Sequence, residues 1–296
     1  MTPNENLRGI AWALFSVVTS SAMAVSVRAL SEHFSPQMVL TMRAGFSTLL
    51  VLIAVLALPW ARRQLKITVP WAHAARGFCI AVSTLLGFYT IANLPLATST
   101  VLFFTAPIFA VIIAAVFQKE AVGPRRWSAV IAGFIGALII LRPDADGVNI
   151  AMVSAVGCSL FFAIALTLSR QVGGADGPVS AFATSVVVTV MFAFPVSITT
   201  FALPTTLPLW GLVVLLVATG AARNIADIQA YRFADAAVVG PIAYLRLVLI
   251  GGAGFILFGE VPDAPTLIGA IIIIAATLYI ARREAQLGKK GAGGGV

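Results

Sequence analysis

Among the ionisable side chains inside the long apolar stretches of this 296-residue chain, four stand out: Arg43, Arg223, Asp227 and Arg246. Charged groups are costly in hydrocarbon, so they persist where they pair, line a watered path or hold a solute. Arg223 and Asp227 are four residues apart and share a helix face, within reach of each other. Asp227 is then either a proton or cation site tuned by Arg223, or half of a self-neutralising pair inside a bundle. Asn224 adds hydrogen-bonding capacity beside them. Arg246 has roughly 16–21 Å of helix between it and either end of its run, near mid-membrane. Its five donors require solute oxygens or fixed protein acceptors. Asp227 is already within reach of Arg223, so Arg246 is left without an acidic partner and is expected to face a central cavity. Arg43 lies about 10 Å from the end of its run, close enough to snorkel to the interface. Three cations against one carboxylate leave this interior positive, which favours a neutral or partly anionic solute over a cation.

The elements that must position these groups are membrane helices. The chain is 60% hydrophobic and 10% charged, against about 25% charged in an ordinary soluble domain. A bilayer crossing needs about 20 apolar residues, and ten runs meet that length: 9–29, 37–58, 72–92, 97–117, 125–142, 149–170, 178–201, 208–231, 236–258 and 264–282. The fold class expected is an all-α integral membrane protein. A β-barrel is excluded by run length and by the lack of two-residue alternation. The first run exceeds a signal-peptide core and ends at Arg28 rather than at a small-residue cleavage site.

The net charge of +8 reflects orientation rather than nucleic-acid binding. Arg62, Arg63 and Lys66 follow the second run; Lys119, Arg125 and Arg126 follow the fourth. Arg170, Arg232, Arg282, Arg283, Lys289 and Lys290 follow the sixth, eighth and tenth, with Arg8 ahead of the first. The opposite side holds Arg28 and Arg142 beside Glu32, Asp144, Asp146, Glu260 and Asp263. The positive-inside rule then places both termini in the cytoplasm, and 285–296 reads as a flexible tail.

The chain aligns with itself at a shift of about 140 residues. Phe117-Gln-Lys-Glu120 falls on Leu257-Phe-Gly-Glu260, Leu141-Arg-Pro143 on Ala281-Arg-Arg283, and Pro36 pairs with Pro178. Five runs per half put the second half into the membrane upside down, the inverted-repeat plan of secondary transporters, with solute near the midplane between the halves. The halves are 7–143 and 147–284. No GxxxxGK[ST] motif offers a basis for ATP-driven pumping.

Residues 7–284 resemble the drug/metabolite transporter superfamily with two EamA-type repeats. The resemblance rests on Asn93-Leu-Pro-Leu-Ala97, Phe103-Phe-Thr-Ala-Pro-Ile-Phe109, Glu120-Ala-Val-Gly-Pro-Arg-Arg-Trp127, Gly133-Phe-Ile-Gly136 and Leu141-Arg-Pro143. In the second half it rests on Ala236 to Leu247 and Phe258-Gly-Glu-Val-Pro-Asp263. It implies ten helices in the cytoplasmic (inner) membrane, cytoplasmic termini and gradient-linked movement of small organic solutes. The nearest subgroup holds S-adenosylmethionine and riboflavin uptake carriers. The resemblance further implies that the S-adenosylmethionine branch has an acidic residue where Arg246 stands, and another near Met23 and Ala24. A carboxylate-to-Arg exchange argues against a sulfonium cation as solute.

Trp12, Phe15, Tyr89, Phe103, Phe104 and Tyr244 supply aromatic faces for a planar ring, or else packing. Ser16, Thr19, Ser20 and Ser21, with Thr98, Ser99, Thr100 and Thr105, form polar stripes that line a cavity or let helices pack closely. Pro107 and Pro241 free backbone carbonyls or simply kink their helices. The substrate site expected from this reading is Arg246, Tyr244, Tyr89, Trp12, Phe104, Thr105 and Ser20, with Asp227 and Arg223 as coupling residues.

Gly251-Gly-Ala-Gly254 lies within a membrane run, where helix packing explains it better than dinucleotide binding. His33 and His73 have no carboxylate cluster at metal spacing, and Cys79 and Cys158 suggest neither a disulfide nor a thiolate site. No cofactor or metal is expected. The expected partners are a small solute and the bilayer, with proton coupling. The runs 125–142 and 264–282, poor in polar residues, are expected at the periphery as scaffold or dimer contact, in a monomer or homodimer. The function expected is a secondary transporter, best fitted to riboflavin uptake or a similar planar solute. The alternatives are an amino-acid or drug exporter and an S-adenosylmethionine carrier. A membrane-embedded enzyme would need an interfacial His, Asp or Glu cluster, which this sequence lacks, and a channel would need a charge ring or filter loop.

Overall fold

Prolines and small polar caps set where the helices begin. In the computed structural model, helix α1 is Pro3–Leu30. Ser35 then caps α2 (Pro36–Ala57) by accepting the Met38 N–H at 3.3 Å, with Pro36 at the first helical position, where its missing N–H costs nothing. Prolines also open the short α3 (Pro59–Gln64), α4 (Pro70–Asn93) and α7 (Pro124–Leu141). Between the last two lie α5 (Leu96–Phe103) and α6 (Ala106–Phe117). The structure describes residues 3–117, 119, 123–141, 149–234, 239 and 242–292, with side chains outside the described set at 3–6, 170, 231 and 283–292. Glu120, Arg142, Asp144, Asp146, Asp235 and Pro241 therefore lie outside it, as do the side chains of Arg170, Arg283, Lys289 and Lys290.

Helix α8 (Ile150–Ser197) carries the sixth and seventh expected spans as two arms about Gly177, whose φ of 82° and ψ of 170° are not helical. Glycine adopts that backbone without a Cβ penalty, and Pro178 opens the second arm. Then come α9 (Leu207–Phe233), α10 (Leu245–Phe258) and α11 (Ala264–Ala292). Gly259, at φ 66°, ends α10, and Asp263 starts α11 by accepting the Thr266 N–H at 3.0 Å. Helix α11 continues into the 285–296 segment as far as Ala292; Glu, Ala, Gln, Leu and Lys are good helix formers and no proline stops them.

Among the described residues, nine helical segments are long and apolar enough to cross a bilayer, and α10 is a shorter apolar one. The protein is an all-α, multi-pass membrane protein.

The chain forms two compact units. One comprises Met1–Val25, Pro95–Asn149 and Ala218–Val296; the other comprises Ser26–Leu94 and Ile150–Val217. Each unit takes elements from both 7–143 and 147–284, and α1 and α9 each contribute to both.

In the second unit, α4 packs along α8, and α2 packs on both. A Cβ on Gly77 would lie 2.7 Å from Val188 Cβ, so only glycine lets α4 approach the second arm of α8 this closely. Polar contacts reinforce the seam. Thr90 Oγ1 lies 2.9 Å from Ser154 Oγ, Ser83 donates to the Cys158 carbonyl at 2.8 Å, and Thr41 donates to Ser197 at 3.0 Å. Arg28 folds over the end of α4 and donates to the carbonyls of Ile91 and Ala92 at 3.2 and 2.6 Å.

In the first unit, α7 and α11, the fifth and tenth spans, pack on each other. A Cβ on Gly269 would meet the Gly136 carbonyl at 2.6 Å and Ile140 at 2.4 Å, so small residues set this contact. Their other faces stay apolar and exposed, through Ile131, Ile135, Leu138, Ile268 and Ile271.

The fourth span is broken. Pro107 has no N–H for the Phe103 carbonyl, so the ladder fails there. Phe104 and Thr105 form a turn; the Phe104 and Thr105 N–H groups reach back to Val101 and Leu102 at 3.0 and 3.1 Å. The helix resumes with Ile108 and Phe109 donating to the Thr105 carbonyl. Three contacts hold the broken span in place: Glu260 Oε2 accepts the Leu96 N–H at 2.6 Å, Thr98 lies 3.3 Å from Thr266, and Thr277 donates to the Phe104 carbonyl at 3.3 Å. Gly254 makes room for the first of these, since a Cβ there would sit 2.9 Å from Glu260 Oε2. The Gly251–Gly254 run thus serves packing.

Candidate functional site

The break in the fourth span has a counterpart. Tyr244 is a turn residue immediately ahead of α10, and it stands 140 positions after Phe104, the same shift that superposes Glu120 and Glu260. The two turn residues touch. Their ring centroids are 4.8 Å apart with planes inclined at 32°, a tilted pair within the separation at which aromatic contacts contribute about 0.5–1.5 kcal/mol beyond buried area. Broken helices near mid-membrane are where transporters build solute sites, because unwound backbone is tolerated only beside protein or water.

Arg246, two residues into the α10 side of the break, lays its guanidinium over Phe104 with Cζ 5.4 Å from the ring centroid. Among the described residues no carboxylate forms an ion pair with it; the aromatic face takes that place. Asp227 and Arg223 on α9 are near enough to act on Arg246 electrostatically. Asp227 accepts a short hydrogen bond from Ser16 Oγ on α1, and Arg223 Nε stands 3.6 Å from its other oxygen. That separation makes an ion pair rather than a tight hydrogen bond, and both side chains are partly exposed, at 30% and 44%. The pair is not sealed in a core.

The first unit thus brings together Ser16, Arg223, Asp227, Arg246, Phe104 and Tyr244. Thr105 is buried at the break, but its hydroxyl bonds back to the Leu102 carbonyl at 2.7 Å. Ser20 likewise donates to Val17 on its own helix at 3.0 Å, as Ser21 and Thr100 do to their own. Most of the polar stripe therefore satisfies itself, hydroxyls bonding back three or four residues along the helix; Ser16 and Thr98 reach across to other helices. Trp12 packs on Ala13, Ala230, Ala234 and Val239 and stands edge-on to Phe15. Asn224 returns its amide to the Gly220 carbonyl at 3.0 Å, so its donors are not spent on the Arg223–Asp227 pair. Tyr89 and Arg43 belong to the other unit, where Arg43 lies over the Phe88 ring at 5.8 Å.

Sequence reasoning missed a polar cluster in the second unit. Asp176, just before the Gly177 bend, accepts from the Thr68 N–H and hydroxyl and from the Val69 N–H. His73 Nε2 stands 3.0 Å from the same carboxylate, with both side chains almost wholly buried. His73 Nδ1 is 2.7 Å from Thr184 Oγ1. One turn on, Arg76 donates to Ser169, the Ala181 carbonyl and Ser185. Arg76 lay within the third apolar run, and its position alone was the available signal.

A multi-pass helical fold with a broken span, and with a ring pair and a cation at the break, is the architecture of a solute carrier. The chain belongs to the EamA-like transporter family, whose sequence model matches residues 7–142. It is 31% identical to an S-adenosylmethionine uptake transporter of Rickettsia bellii over 93% of this chain and 94% of that one. It is also 31% identical to a riboflavin transporter of Rhizobium johnstonii over 96% and 91%. A pseudopaline exporter of Pseudomonas aeruginosa, CntI, is 24% identical over 93% and 96%. A protein of known crystal structure superposes with a TM-score of 0.61 at 16% identity, over 93% of this chain and 98% of that chain, a likeness of fold alone. The protein is a membrane transporter of small metabolites.

Proposed function

We propose that the protein is a gradient-driven carrier in the cytoplasmic (inner) membrane that takes up riboflavin or a similar neutral or anionic planar solute. The observation that carries this reading is Arg246 seated on Phe104 beside Tyr244. A planar solute extends the ring stack while the guanidinium fork donates to its carbonyl or acidic oxygens. A cationic solute meets the opposite situation, because the cation position on Phe104 is taken and like charges repel. This weighs against the sulfonium solute named for the Rickettsia relatives. Asp227, partly exposed and adjoining this cluster, then serves as the coupling site that gains and loses a proton.

A second reading keeps a cationic solute, with Asp227 as its counter-ion; the partial exposure of that carboxylate favours it. Uptake into proteoliposomes separates the two. Saturable riboflavin uptake, unaffected by S-adenosylmethionine, is the expected result. Accumulation of S-adenosylmethionine without flavin uptake would reverse the assignment. With no nucleotide motif in the chain, uptake should proceed in ATP-free vesicles and vanish when the imposed gradient is collapsed; strict dependence on added ATP would refute gradient coupling.

Orientation is testable separately. Cysteines placed at Gly291 and Asp146 should label from opposite faces of the membrane, Gly291 from the cytoplasmic one. Labelling of both from one face would overturn the ten-span inverted arrangement.

A further inference from the structure

The second unit carries a cleft, about 330 Å³ in volume, between α3 with the segment after it and the turn at Gly177. One wall presents Arg63 and Lys66; the other presents Gly173, Gly174 and Gly177 beside Asp176. A Cβ at any of those three glycines would meet nothing within 4 Å, so the glycine wall is open to an occupant.

The charge of this corner is uneven. Arg63 and Lys66 are exposed cations that line it. The carboxylate at the cleft, Asp176, has its oxygens engaged by Thr68, Val69 and His73. Its hydrogen bonds face the protein rather than the cleft cations. Two exposed cations against one carboxylate that is already engaged make the cleft a receptor for an anion.

The walls are also fixed in place. Lys66 N–H donates to Ser180 Oγ at 2.8 Å and Ser180 donates to the Gln64 carbonyl at 3.0 Å. The two cationic side chains therefore project from a braced backbone rather than from a loose loop. Trp60 and Trp71, exposed at 55% and 68%, bracket the segment in sequence. Indole rings settle at headgroup depth, which places the cleft where lipid phosphates lie.

We infer that this cleft, formed by Arg63, Lys66 and the glycine turn ahead of Pro178, binds the phosphate headgroup of an acidic phospholipid. Basic pockets between membrane helices recognise such headgroups through charge and hydrogen bonding to phosphate oxygens. A headgroup there bridges α3 to the bend in α8, joining the spans on either side.

Lipid titration of the full-length protein, followed by native mass spectrometry, tests this with phosphatidylglycerol, phosphatidylcholine and inorganic phosphate as separate probes. Phosphatidylglycerol should bind in preference to phosphatidylcholine. Arg63→Gln/Lys66→Gln should weaken that binding roughly thirtyfold, at the usual contribution of a basic residue near a lipid surface. Gly173→Phe, which fills the cleft and leaves every charge in place, should abolish the preference. Arg125→Gln, an exposed cation of the other unit, should leave it intact. Equal loss in Arg125→Gln, or wild-type binding by both cleft variants, would overturn the site. Millimolar phosphate displacing the lipid and binding as well on its own would overturn the lipid assignment in favour of a soluble phosphate.

Discussion

Arg246→Ala should weaken solute binding roughly ten- to hundredfold while the protein still inserts and purifies as a stable, monodisperse particle. A hydrogen bond to a charged group contributes about 1.5–3 kcal/mol, and about 1.4 kcal/mol corresponds to a factor of ten. Removing the guanidinium leaves no buried acid unpaired, since Arg246 rests on a ring and not on a carboxylate; the fold should therefore tolerate the change. Arg246→Lys keeps the charge but loses both the planar fork and the flat contact with Phe104, and should fall between wild type and Ala. Phe104→Leu removes the seat. If Arg246 acts from that seat, Phe104→Leu and Arg246→Ala combined should cost less than the sum of the two alone. Equilibrium binding by each variant checks the series. Normal binding by Arg246→Ala, or its failure to fold, would make the residue a structural clamp.

Asp227→Asn should abolish gradient-driven accumulation and spare counterflow exchange. Asn keeps the shape of the carboxylate and can still accept from Ser16, but it cannot cycle a proton at physiological pH. Exchange needs only that the solute-loaded carrier reorient, so it should survive. The ion pair itself is a modest contributor: at 3.6 Å and with both partners partly exposed, it belongs with surface pairs of about 0–1 kcal/mol. Loss of its charge should not unfold the protein. Parallel measurements of accumulation and exchange decide the matter. Equal loss of both, accompanied by poor expression that Arg223→Gln restores, would show that the pair is structural.

These two experiments bear on residues whose importance was legible before any coordinates. An Arg or Asp inside twenty apolar residues carries its own signal, because the cost of charge in hydrocarbon depends on local burial and not on which helix lies opposite. The same locality makes the helices legible: run length, Pro36, Pro70 and Pro124 at helix starts, and the missing N–H of Pro107 at the break are all properties of neighbouring residues.

Contact partners are not local. Ser16 and Asp227 are 211 residues apart, and nothing in the serine and threonine stripe of α1 distinguishes Ser16, which reaches another helix, from Ser20, which bonds to its own carbonyl. A helix hydroxyl has both options, and the neighbouring helix decides between them. Asn224, which the sequence places next to the charged pair, donates to the Gly220 carbonyl of its own helix. Arg246 illustrates both sides. Its position in a long apolar run announced an unusual cation; that it lies on Phe104, and that Phe104 meets Tyr244, followed from the break in the fourth span packing against the start of α10. The basic cleft of the second unit went unseen altogether, because Arg63, Lys66, Asp176 and Gly177 come from segments more than a hundred residues apart. Sequence by itself determined which segments are long and apolar enough to cross a membrane and which charges must be accounted for. Only the tertiary structure decided what each charge meets, since that depends on long-range packing, and packing is where the free energy of a bundle resides.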